Sequence, residues 1–223
     1  MPNLKLPVRW YGDKPQRGDL DLELKRTAFM VVDSDGGKED VHVTEGIAPA
    51  LEAARNVGMK VIFIHNDFSL VDEPGSIKRE MHFERWGRPK SASRARSPKK
   101  PVYAPCIQPL PDEPDFPKNE YSGFHDTHVD YLLRCYDIKT MFAVGFSQRA
   151  CLYQTVVGAL EHNYRPIILR EGTFSAEYPD TEDDNLPEKG WVRKIMFRNF
   201  EHIIGYTAST ADFVSSFNAI RQS

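Results

Sequence analysis

No apolar run in this sequence approaches the roughly 20 residues that cross a bilayer as a helix. The stretch from Met1 to Asp13 lacks the apolar core of a signal peptide. Cysteine is scarce: Cys106, Cys135 and Cys151 are an odd number without the spacing of a disulfide framework. Reduced thiols in a cytoplasmic protein are therefore expected. There is no C-x-x-C or H-E-x-x-H pair and no internal repeat. Charge of neither sign dominates, with 29 Lys and Arg against 32 Asp and Glu for a net charge of −3. That balance argues against nucleic acid or a membrane surface as a partner.

What remains is a chain of 223 residues, 40% of them hydrophobic, enough for one sizeable core. Apolar segments fitting strands fall at Ala28–Asp33, Lys60–His65, Lys139–Gly145 and Pro166–Arg170. Helical patterns fall between and after them, at Val43–Val57 (stopped by Gly58), Val129–Cys135, Cys151 to about Asn163, Val192–Phe197 and Thr210–Arg221. This alternation predicts a three-layer α/β/α sandwich with a central, mostly parallel sheet. Sites in such folds lie at the C-terminal ends of the strands, where Asp33, Asn66, Cys151 and Glu171 fall.

The organisation expected is an N-terminal arm over residues 1–26, with Trp10 and Tyr11 to pack it on something, followed by one domain over 27–223. A loop from about 84 to 117 interrupts that domain. It carries Arg85, Arg88, Lys90, Arg94, Arg96, Lys99 and Lys100. A loop of this length is often a lid or an interface arm, although charge runs usually just face water.

Cys151 opens a helix just past a strand end. Free N–H groups and the positive end of the helix dipole favour its thiolate and offer donors to an oxyanion. A lone Cys is more often a small buried apolar residue, an Asp at a strand end often caps a turn, and a loop Lys is usually solvated.

Three segments in order change that balance: Thr27-Ala-Phe-Met-Val-Val-Asp33, Pro117-Lys-Asn-Glu-Tyr-Ser-Gly-Phe124, and Gly145-Phe-Ser-Gln-Arg-Ala-Cys151. Together they resemble the isochorismatase-like cysteine hydrolases, over about Thr27–Ala219. The stretches Lys118–Arg134, Ile64–Phe68 and Phe200–Tyr206 are similar to ureidoacrylate amidohydrolases within that superfamily.

The resemblance implies a catalytic set of Asp33, Lys118 and Cys151, with the backbone N–H groups of Ala150 and Cys151 as oxyanion donors. Asn66, Phe68, Tyr121, Phe146 and Ser147 would line the substrate site, and the Phe146–Ser147 peptide would be cis. It further implies a small amide, ureido or carbamoyl substrate, no cofactor, and a homodimer or homotetramer. Tyr121 and Phe124 would pack beside the pocket, or equally in the core.

The chain also departs from the family pattern. Ser34-Asp-Gly-Gly37 follows the acid, leaving Asp35 as a second-choice acid. Gln148-Arg149 precedes the nucleophile, and Arg149 is either a carboxylate ligand or a surface charge. His65 and Asp67 share a face in an extended chain, but two ligands do not make a zinc site, so no metal is expected. A nicotinamidase-like aryl-amide hydrolase and a non-catalytic binding protein on the same fold remain alternatives.

Overall fold

The computed structural model describes residues 3–37, 39–67, 75–85, 87 and 100–220. Eight strands form one sheet: β1 (Asn3–Tyr11), β2 (Pro15–Glu23), β3 (Thr27–Val32), β4 (Lys60–Asn66), β5 (Asp115–Lys118), β6 (Thr140–Phe146), β7 (Arg165–Phe174) and β8 (Tyr206–Ala208). Their order in space is β2-β1-β8-β7-β6-β3-β4-β5. Strands β3 to β8 are mutually parallel, and β1 runs antiparallel to both β2 and β8. The helices are α1 (Ala48–Asn56), α2 (Ile77–Arg85), α3 (Val129–Cys135), α4 (Cys151–Glu161), α5 (Trp191–Asn199) and α6 (Thr210–Ile220).

The central strands carry apolar runs, Ala28–Val32, Val61–Ile64, Met141–Val144 and Ile167–Leu169, because both faces of the sheet are covered there. All six residues of β3 are buried. Side chains alternate between faces along a strand, so β3 feeds two cores. Phe29 and Val31 pack with Leu51 of α1 and with Phe213 and Phe217 of α6. Ala28, Met30 and Val32 pack with Leu133 of α3, Leu152 and Val156 of α4 and Phe197 of α5. The result is the expected three-layer sandwich.

Residues 3–23 of the expected arm form the hairpin β1–β2. The hairpin joins the sheet through Arg9 opposite Thr207 of β8. Trp10 meets Tyr206 edge-on with ring centroids 6.1 Å apart, and Tyr11 meets His202 at 5.9 Å. The expected loop ends earlier than its composition implied: Asp115–Lys118 is edge strand β5, in parallel register with Phe63–Asn66. Pro117 is tolerated there because an edge strand leaves one side of its backbone unpaired. Of that loop's cations, Arg85 and Lys100 are described, and Arg88, Lys90, Arg94, Arg96 and Lys99 lie outside the described residues. The helix expected from Val43 opens as a π-helical segment, His42–Ile47, before α1 begins.

Gly145 sets the end of β6. Its φ is +110°, and a Cβ there would lie 1.9 Å from Val32 O on β3. Only glycine lets β6 stay against β3 while the chain turns towards Cys151. We predict that Gly145→Ala lowers unfolding free energy by at least about 3 kcal/mol. Gly58→Ala, at φ +71° in open space, costs about 1 kcal/mol. Urea denaturation compares them; equal losses would show that the β3–β6 contact is not what requires Gly145.

Candidate active site

Parallel strand ends bring one residue each to a common point. Asp33 follows β3, Asn66 ends β4, Lys118 ends β5, and Cys151 begins α4 after the turn that leaves β6. Asn66 and Lys118 are register partners across β4–β5, so the short edge strand delivers a buried lysine to the centre. Val32 pairs with both Ile64 and Gly145, which sets Asp33 between the ends of β4 and β6. Asp33 takes a left-handed backbone (φ +47°) while its N–H donates to Ile64 O at 2.8 Å. Asp accepts this conformation more readily than most residues. The Phe146–Ser147 peptide is cis.

Lys118 Nζ donates to Asp33 Oδ2 at 2.9 Å, and its side chain is 0% exposed against 6% for Asp33. The same ammonium donates to Asn66 Oδ1. Cys151 Sγ lies 3.7 Å from that Asn66 oxygen. Burial drives the Asp33 carboxyl above its ordinary value, against the pull of Lys118 and of its hydrogen bond with Cys151. Burial, together with the charge of Asp33, pushes the Cys151 thiol up to about 12, with Lys118 acting in the opposite direction. This direction opposes the preference for the thiolate that the helix terminus lends. A helix terminus contributes only about 0.3–1 kcal/mol, too little to offset a desolvated sulfur beside a carboxylate.

The other expected residues divide. Asn66 bonds to Lys118 and Cys151. Phe146 is half-buried against the core, and Ser147 is half-buried in the turn. The Ala150 N–H donates to Ser147 O at 3.1 Å, so one expected oxyanion donor closes a turn in this state. The first N–H groups of α4, starting with Cys151, have no partner within the helix. Tyr121 is exposed, with Lys78 Nζ 4.6 Å from its ring centroid. Phe124 is core, its ring 5.2 Å from His162 and 5.8 Å from Tyr164. Phe68 lies outside the described residues. Arg149 is exposed, with its guanidinium 4.3 Å over the Tyr178 ring. Glu171 lies within β7 rather than at its end, and its Oε2 accepts the Thr210 N–H at the start of α6.

Two features escaped sequence reasoning. His65 Nδ1 pairs with Asp115 Oδ1 at 2.6 Å, and Tyr103 Oη donates to Asp115 Oδ2 at 3.0 Å. Burial lowers the His65 pKa, but the hydrogen bond and charge of Asp115 outweigh it and the net direction is up. A Pro-flanked acid at the start of a four-residue strand carries no motif that would announce this pair. The second feature is Gln148, fully buried in the turn before Cys151, where its residue type suggested a surface position. A cleft of about 720 Å³, bordered by Trp10, Lys139, Arg165 and His202, opens beside the N-terminal ends of β6 and β7, away from Cys151.

The Isochorismatase domain model matches residues 30–186. Among curated proteins, the ureidoacrylate amidohydrolase RutB of Caulobacter vibrioides is 28% identical over 225 residues, covering 90% of this chain and 95% of that protein. The enzyme of the same name from Methylorubrum extorquens is 27% identical over 186 residues, covering 79% and 71%. Among solved structures, a cysteine hydrolase from Pseudomonas syringae pv. phaseolicola superposes with a TM-score of 0.68 at 21% identity, over 89% of this chain and 95% of that one. The N-carbamoylsarcosine amidase of Thermoplasma acidophilum gives 0.56 at 20% identity, over 83% and 96%. At these identities the superpositions speak for the fold.

A buried ammonium and carboxylate are stable only together, and losing one partner of such a pair costs about 3–5 kcal/mol. We predict that Lys118→Met destabilises the chain by about that amount, and that the double variant Asp33→Asn/Lys118→Met loses clearly less. Urea unfolding of the single and double variants reads this coupling. Additive losses would mean that the two side chains do not depend on each other.

Proposed function

This chain belongs to the isochorismatase family, and from that premise we propose that it is a cysteine-dependent amidohydrolase. Its substrate would be a small amide, ureido or carbamoyl compound, cleaved at a C–N bond through a thioester. The observation that carries the reading is the sealed cluster of Asp33, Lys118, Asn66 and Cys151 at adjoining strand ends. Burial there raises the proton affinity of both the thiol and the carboxylate.

In this reading Cys151 Sγ attacks the carbonyl carbon as Asp33 takes the thiol proton. A neutral thiol suits this step, because the proton leaves only as the S–C bond forms. Lys118 keeps Asp33 ionised until then and stays paired with it. The tetrahedral oxyanion is met by the Cys151 N–H, and by the Ala150 N–H if its turn to Ser147 opens. One such donor is worth roughly 3 kcal/mol. As the C–N bond breaks, Asp33 passes its proton to the departing nitrogen. Water then adds to the thioester and gives a proton to Asp33, which returns it to sulfur as the acid leaves. For a ureido compound the intermediate is an S-carbamoyl cysteine and the released acid is a carbamate, which breaks down to ammonia and carbon dioxide. The names of the curated relatives support a ureido substrate.

A homodimer or homotetramer resident in the cytoplasm belongs to the same reading. Trp191 and Ile195, both exposed one turn apart on α5, support the assembly.

Ammonia release from a panel of amides, ureido acids and carbamoyl compounds tests the proposal. Cys151→Ala and Asp33→Asn are each expected to lower the rate on the best substrate by about 10⁴-fold or more. Turnover unchanged in Cys151→Ala would exclude the thioester route.

A further inference from the structure

Strand β5 delivers Lys118, yet it is four residues long and stands last in the strand order, beside β4. Its Pro117 has no N–H to give. Backbone bonds bracket the strand: Phe63 N–H donates to Pro114 O and Asp67 N–H to Lys118 O, each at 2.8 Å. A short edge strand of this kind is an element that opens locally unless something else fastens it. Two side-chain links cross from β5 to β4. Lys118 donates to Asn66, and Asp115 Oδ1 lies 2.6 Å from His65 Nδ1. Side chains alternate between faces, so His65 shares the face of Phe63 and Asn66 the face of Ile64. The strand is therefore fastened on both faces of the sheet.

The second oxygen of Asp115 is also held. Tyr103 Oη donates to Oδ2 at 3.0 Å, and its ring meets Phe63 edge-on with centroids 5.2 Å apart. Tyr103 and His65 are both buried. Burial and the charge of Asp115 push the Tyr103 hydroxyl up, which keeps it a donor. The charged groups facing His65 are acids: Asp115 on β5, and Asp35 and Asp33 beyond β3. Burial opposes the imidazolium, but these acids, led by Asp115, outweigh it. None of His65, Asp115 and Tyr103 enters the mechanism above.

We propose that His65 and Asp115 are a positioning pair that locks β5 to β4 and so holds the Lys118 ammonium against Asp33. The proposal rests on the amidohydrolase reading above and adds the support of its lysine. Burial drives the Asp33 carboxyl up and Asp35 adds to that, while Lys118 and Cys151 pull the other way. If β5 shifts, Asp33 loses the pull of Lys118 and takes up a proton at higher pH, when the reaction needs it ionised.

The first measurement is kcat/KM against pH on the best substrate of the panel. In His65→Leu the acid limb is expected to move up by about one pH unit or more. At neutral pH kcat should fall about 30-fold, with KM changed by less than about threefold. His65→Asn, which keeps a donor near the Nδ1 position, should recover most of the shift. Gly58→Ala lowers stability at the far end of β4 and should leave the limb in place. A limb unmoved in His65→Leu would reduce the pair to a stabilising contact and overturn the proposal. The second measurement needs no turnover, so it decides the positioning role even if the wild-type chain cleaves nothing and the amidohydrolase reading fails. His65 and Lys118 project from opposite faces with different hydrogen-bond partners, so independent roles give additive losses. The drop in urea midpoint caused by Lys118→Met is expected to be at most half as large in His65→Leu as in the wild-type chain. Equal drops would overturn the proposal. Should His65→Leu not fold, Tyr103→Phe, which deletes one hydroxyl and keeps the ring on Phe63, replaces it in both measurements. Smaller shifts in the same directions would support the proposal, and no shift in either would overturn it.

Discussion

A lysine ammonium with no solvent exposure is the constraint around which this end of the molecule is arranged. An ion of that kind is tolerated inside a protein only when paired and hydrogen-bonded. Lys118 meets that condition with Asp33 and Asn66. Each partner arrives on a different strand, so the β3–β4–β5 register has to hold for the charge to be accommodated. Strand β5 is four residues long and contains a proline, yet its pairing with β4 sets Lys118 opposite Asn66. Gly145, by letting β6 lie against the Val32 carbonyl, starts the turn that carries Cys151 to the same place.

The pair also governs the proton. Asp33, raised by burial, and Cys151, raised by burial and by Asp33, form a couple in which both shifts favour the protonated group. A thiolate beside a carboxylate in a dry site would place two like charges together. Lys118 offsets one of them. In the amidohydrolase reading proposed above, nucleophile activation is tied to substrate arrival, which suits a cysteine that would otherwise be open to oxidation. Asn66, accepting from Lys118 and lying within reach of the sulfur, holds the geometry between the two.

The parts of the fold legible in the sequence were those whose burial is symmetric. β3, β4, β6 and β7 are covered on both faces along their middles, so each shows an apolar run of three or more residues. β1 and β2 are half-exposed, with β2 alternating exposed and partly buried positions, and such a hairpin reads as an arm. β5 and β8 are too short to show a period. At the site, Asp33 and Cys151 stand at strand boundaries that the sequence shows, whereas Lys118 reads as a loop residue and joined them only through the resemblance of the Pro117–Phe124 segment. The upward push of burial on the thiol was not legible, because helix position is readable from sequence and desolvation is not. Glu171 looked like a strand-end acid because the strand was ended too early at Arg170; it caps α6 instead. The burial of Gln148 was not legible, because a glutamine's burial leaves no trace in the pattern.

The most direct test of this proton couple is the ultraviolet absorbance of the thiolate, titrated from about pH 6 to pH 10 in the wild-type chain and in Cys151→Ser. The difference between the two isolates Cys151, since Cys106 and Cys135 are common to both. A neutral resting thiol gives no thiolate step across that range. A step near neutral pH would show a preformed thiolate and would contradict the role assigned to Asp33 as the acceptor of its proton.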